Sequence, residues 1–173
     1  MEISETLLPK FNAQITLEFA SAMAYRQLAI GMDVQDLPGI ALWLRHQADE
    51  EVVHANKFID HVVDRGNHPT IGTIPAPEVP EGASPADTFA VALKHEQIVS
   101  NSIRDLFRAV DAEGDIDARP LLNWFVEEQI EEEATVNEIL ARINLVGDDG
   151  PGLLRLDSEL GARQAESTEN PGN

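Results

Sequence analysis

Six side chains carry the chemistry open to this chain: Glu18, Glu51, His54, Glu96, Gln129 and Glu132. Glu18 precedes Glu51 by 33 residues and His54 by 36, and Glu96 precedes Gln129 by 33 and Glu132 by 36. One arrangement is thus repeated, a single carboxylate followed by a polar pair at i, i+3, a separation that puts both members of the pair on one helix face. Carboxylates gathered with an imidazole suit divalent iron or manganese, and four negative charges match two divalent cations. Buried without cations, each such charge would cost several kcal/mol even after relaxation. Any one of these glutamates alone is better read as a solvated helix-face charge, and His54 alone as a core or surface histidine. The doubled spacing makes them a set. His46, His61, His68 and His95 lack such partners and are read as surface residues.

The elements that must position this set are helices. A first helix from about Ser4 to Met32 carries Phe11, Ile15, Ala22 and Ala29 on one stripe, and a second carries Ala41, Leu44, Ala48, Ala55, Phe58 and Val62 until Gly66. The third opens on Ser84-Pro85-Ala86-Asp87, with Ser84 as cap, and runs through Phe89, Leu93, Ile103 and Val110 to Gly114. A fourth, with Leu122, Phe125, Val136, Ile139 and Ile143, ends before Gly147. Each stripe is interrupted near its middle by members of the set. Between the second and third helices, the twenty residues Arg65 to Ser84 hold four prolines and three glycines. Extended at about 3.3 Å per residue they reach about 66 Å, more than the roughly 40 Å of a 27-residue helix. The loop can therefore cross between two parallel helices, joining two antiparallel hairpins. After a turn at Asp148 to Gly152, Leu153, Leu156 and Leu160 make a short fifth helix, too short to stand alone, with a partner subunit as one surface it could pack on. The expected fold is all-α: a four-helix bundle with a long crossover and a short C-terminal helix. One domain spans 1–161, followed by a polar tail at 162–173 expected to be disordered.

Composition narrows the function classes. The 12 basic and 31 acidic residues give a net charge of −19, which repels nucleic acid and anionic membranes. The absence of cysteine excludes disulfides, thiolate catalysis and Cys-ligated metal. The apolar runs are far shorter than the roughly 20 residues of a membrane span, and the acidic start lacks the pattern of a signal peptide. A cytoplasmic location is expected.

Three segments carry a resemblance: Gln47-Ala48-Asp49-Glu50-Glu51-Val52-Val53-His54, Lys94-His95-Glu96-Gln97 and Trp124-Phe125-Val126-Glu127-Glu128-Gln129-Ile130-Glu131-Glu132-Glu133. They are similar to the iron-site segments of bacterial non-haem ferritins, within a similarity covering nearly all of residues 3–160. The resemblance implies the ferritin-like bundle, a homo-oligomeric cage of twenty-four subunits (a 24-mer), oxidation of Fe(II) by O2 or H2O2, and storage of ferric mineral inside. It implies two irons per subunit: Glu18, Glu51 and His54 on the first, Glu51, Glu96 and Glu132 on the second, with Glu51 bridging. Gln129 matches a hydrogen-bonding residue beside the irons. Tyr25 matches a tyrosine that is a hydrogen-bond partner or one-electron donor, although on the residues alone it reads equally as core. Glu50, Glu128 and Glu131 resemble a third iron site toward the cage interior, although unaided they read as solvated charges. Trp124 matches a tryptophan in the same region, which packing explains equally well.

Bacterioferritins carry a haem-ligating methionine directly after the bridging glutamate, and Val52 stands there, so no haem is expected. Their Glu-x-x-His on the fourth helix is here Gln129-x-x-Glu132, the non-haem pattern. The reading is a ferroxidase and iron store, with Asp111, Glu113, Asp115 and Asp117 as candidates to line pores. The alternative is a di-iron oxidase or peroxidase acting on a small substrate without mineral storage. A bundle with only a structural role fits the intact ligand set least.

Overall fold

Proline stands in the first turn of each α-helix among the described residues, where its missing N–H costs no hydrogen bond and its fixed φ already suits the helix. The structure, a computed structural model, describes residues 2–163. Its helices are α1 (Leu8–Val34), α2 (Pro38–Asp64), α3 (Pro85–Glu113), α4 (Arg119–Val146) and α5 (Gly150–Ala162), with a 3-10 turn at Ile116–Ala118 before α4. At the start of α3 the Ser84 hydroxyl accepts from Asp87 N at 3.1 Å, and the Asp87 carboxylate accepts from Ser84 N at 3.2 Å, a reciprocal cap. Gly114 ends that helix at φ 70°, a left-handed conformation that glycine adopts without strain.

Contacts at the helix ends fix the topology. Ser4 Oγ donates to Glu113 Oε2 at 2.5 Å, so α3 ends where α1 begins, and Gln35 Nε2 donates to Ala83 O at 2.8 Å, so α3 begins where α1 ends. Arg65 pairs with Asp115 at 3.0 Å, which sets the end of α2 beside the end of α3. α2 and α3 are therefore parallel and the 65–84 segment is the crossover. It lies along α1, with Thr70 N donating to Asn12 Oδ1 at 3.0 Å and Gly72 N to Thr16 Oγ1 at 2.8 Å.

The apolar interior is divided. One cluster, with Phe11, Ile15, Phe58, Ile103, Leu122 and Phe125, fills one end of the bundle. The other, with Leu28, Met32, Leu44, Phe89, Val136 and Ile139, fills the opposite end and extends to Leu156 and Leu160. The polar set named above lies in the middle of the four long helices, between the two clusters.

Three expected element bounds are corrected. α1 starts at Leu8, because Ser4 closes a turn by accepting Leu7 N at 3.1 Å. α5 starts at Gly150 within the expected turn, because Pro151 occupies its first turn and needs no donor there. It packs within its own chain, where the buried Asp157 carboxylate accepts Ile40 N at 2.7 Å near the start of α2. Asp157→Ala leaves that N–H enclosed without a partner, so we expect a loss of about 1–3 kcal/mol, read by thermal unfolding. α5 also takes in Ala162, the first residue assigned to the tail; residues 164–173 lie outside those described. The acidic turn after α3 is largely engaged by the fold, since Asp111 pairs with Arg119, Asp115 with Arg65, and Glu113 with Ser4.

Candidate metal centre

Each of the four long helices brings carboxylate or imidazole groups to one level of the bundle. Glu18, Glu51, His54, Glu96, Gln129 and Glu132 are all buried, and their neighbours along each seam are the apolar residues that seal the two clusters above and below them. Among the described residues two groups of donor atoms lie within 4.8 Å of one another: Glu18, Glu51 and His54, and then Glu50, His54, Glu128 and Glu132. His54 belongs to both. Its Nδ1 is 3.6 Å from Glu51 Oε2, and its ring sits edge-on to Trp124 and Phe125 at 5.6 and 5.5 Å. Trp124 thus packs against a member of both groups, with the Lys57 amine 4.6 Å over its ring.

Glu96 lies outside these two groups and is held by neutral donors. The Tyr25 hydroxyl donates to its Oε1, and Gln129 Nε2 donates to its Oε2 at 3.2 Å. Tyr25 and Gln129 therefore meet on one carboxylate. Glu131 is exposed and belongs to neither group, because one position along α4 from Glu132 turns it by about 100°. His61 and His95 are half-buried rather than on the surface, His61 stacking on Phe11 at 5.5 Å, and His46 is likewise partly covered.

Burial dominates the electrostatics. Desolvation, reinforced by the neighbouring Glu51, raises the Glu18 carboxyl well above its ordinary range. Glu51 is raised by burial and by Glu96, and Glu132 by burial and then by Glu96 and Glu50. Glu96 is pushed up to about 7 by burial, against the lowering effect of the Tyr25 hydrogen bond. Burial likewise raises the Tyr25 phenol, and desolvation raises Glu128. Three donor atoms, Glu18 Oε2, Glu51 Oε2 and His54 Nε2, are enclosed without a hydrogen-bond partner. Buried acceptors left this way are costly, and hard divalent cations are the partners that oxygen and imidazole donors of this kind take.

A pH dependence follows for the metal-free protein. The folded Glu96 holds its proton to about 7, against 4.5 for the free side chain. Its contribution to stability is therefore complete below about 4.5 and lost as pH rises through 7. Metal-stripped protein should unfold at a higher temperature at pH 5.5 than at pH 8, and Glu96→Gln should flatten that slope. Binding of divalent cations should release protons in the same window.

Pattern reading missed a surrounding layer. Gln14 and Ser100 are buried, Ser102 and Glu133 are partly so, and they contact Glu18 or Gln129 directly or through one another. The only sequence sign of Gln14 is its place four residues before Glu18 on the same helix face.

The Ferritin family model, described as a ferritin-like domain, matches residues 9–146. A bacterial non-heme ferritin from Escherichia coli O6:H1 is 34% identical over 154 residues, covering 89% of this chain and 93% of its own. One from Staphylococcus saprophyticus is 35% identical over 167 residues, covering 96% and 99%. The crystal structure of an open pore ferritin from the archaeon Archaeoglobus fulgidus matches with a TM-score of 0.91 at 36% identity, covering 95% of this chain and all of that one.

Proposed function

The chain belongs to the ferritin family, and from that premise we propose that it stores iron, oxidising Fe(II) at the buried centre and holding the ferric product as mineral inside a cage of twenty-four copies. The observation that carries this reading is the enclosed trio of partnerless donor atoms on Glu18, Glu51 and His54, in a site whose other carboxylates are raised by burial. Iron is the substrate here. Fe(II) displaces the protons those carboxylates hold, and two irons meet the charge of Glu18, Glu51, Glu96 and Glu132. O2 then takes one electron from each of two irons and, with two protons, leaves as H2O2, or H2O2 takes the same two electrons and two protons and leaves as two waters. The protein supplies hard ligands in a site closed to bulk water, and Tyr25 and Gln129 steady Glu96 while the charge on the irons changes. Glu50 and Glu128, grouped with His54 and Glu132, are the residues we assign to a third iron on the route toward the cavity. Glu131, being exposed, is assigned at most an outer role there. No helix among the described residues is long and apolar enough to cross a membrane.

The test is to add Fe(II) well beyond two per chain in air, following the near-ultraviolet ferric absorbance and the particle size together. We expect a very large particle that stays soluble while taking up many further irons. A small particle whose oxidation stops at two irons per chain would overturn storage in favour of a di-iron enzyme with an organic substrate or peroxide.

A further inference from the structure

Glu18 and Glu96, the single carboxylates of the two hairpins, are each held by a glutamine amide. On one side Gln129 Nε2 donates to Glu96 at 3.2 Å, and Ser100 Oγ lies 3.4 Å from Gln129 Oε1. On the other, Gln14 Nε2 donates to Glu18 Oε1 at 2.8 Å, and Ser102 Oγ donates to Gln14 Oε1 at 2.5 Å. Gln14 is 1% exposed. Both serines come from α3, so one helix reaches the amides of α1 and α4.

A glutamine amide offers an acceptor on one side and donors on the other, and what surrounds it decides which way it points. With the Ser102 hydroxyl donating to Oε1, the Gln14 amino group faces Glu18. Against an ionised Glu18, the form that meets a cation, the flipped amide would set its oxygen against a carboxylate oxygen with no proton between them. When Glu18 is ionised the Gln14 bond is charge-assisted and stronger. One carboxylate oxygen is then engaged, and the other, Oε2, is the enclosed atom without a partner.

We propose that Gln14 and Ser102 are positioning residues of the metal centre: Ser102 sets the Gln14 amide, and Gln14 turns Glu18 so that Oε2 meets the cation. Neither touches the cation itself. The proposal rests on Glu18 being a ligand, as argued above. Groups that orient metal ligands typically contribute 10–100-fold in affinity.

The assembled, metal-stripped protein is titrated anaerobically with Co2+, followed by calorimetry and by visible absorbance, which reports the coordination. Gln14→Leu should weaken binding at the centre about 10–100-fold and change the visible absorbance of the bound Co2+, because Glu18 is no longer held in its bound orientation. Ser102→Ala, at a partly buried position, should weaken it less, and Ser102→Thr, which keeps the hydroxyl, should restore it. Wild-type Co2+ affinity and absorbance in both Gln14→Leu and Ser102→Ala would overturn the proposal, whatever their thermal stability. Co2+ binding unchanged by Glu18→Gln would instead overturn Glu18 as a ligand, and the proposal with it.

Discussion

Glu51→Ala should lower the initial rate of Fe(II) oxidation by at least about 100-fold, more than the loss of a group that merely orients a ligand. Glu51 is fully inside the bundle, grouped with Glu18 and His54 and raised by Glu96. On the proposed reading it is the carboxylate that serves both irons, so its loss would remove the bridge as well as one charge. The same substitution should leave the metal-free protein folded. The packing lost with the side chain is offset in part by removing a carboxyl that is costly to desolvate. Stopped-flow absorbance and thermal unfolding on the same sample separate the two effects. Slow mineral formation on other surfaces should persist. A wild-type initial rate would show that oxidation happens elsewhere.

Gly39→Ala should lower the unfolding temperature by about 6–12 °C, taking a loss of about 3 kcal/mol and the 2–4 °C per kcal/mol typical of a chain this size. The helix itself would favour alanine by about 1 kcal/mol, so the sign of the result is informative. The opposition comes from α5: a Cβ on Gly39 would lie 1.9 Å from the Asp157 carbonyl oxygen, a backbone atom that cannot move alone. The contact is mutual, since a Cβ on Gly161 would lie 2.8 Å from Gly39 Cα. α5 must lift off in the variant, so its amides should exchange faster with solvent while those of α1 to α4 stay protected. An unchanged or raised unfolding temperature would show that α5 is not seated as described.

How legible this was in the sequence depended on whether the controlling interaction lay within one helix. Glu18, Glu51, Glu96 and Glu132 announce themselves because each interrupts an apolar stripe at matching spacings, and the cap at Ser84 reads directly because both partners are three residues apart. The long crossover follows from its prolines and glycines. Gly39 and Gly161 give no signal, since the demand for a missing Cβ arises where two helices far apart in sequence touch. Gln14 is silent for the same reason, its orientation being set by Ser102 from α3. Gly150-Pro151-Gly152 reads as a turn by composition, yet the proline fits the first turn of α5. Glu131 shows the limit of motif matching: it stands beside Glu132 in the chain, but the helix turns it to solvent, and His54 and Glu132 complete the group around Glu50 and Glu128.

The most direct test of the two-iron centre is a rapid-mixing series in which metal-stripped protein receives increasing Fe(II) per chain before exposure to air. The fast phase should grow in proportion to iron and break at two irons per chain in the wild-type protein, with no fast phase in Glu51→Ala. A fast phase that grows past two irons per chain without a break, or that survives Glu51→Ala, would contradict it.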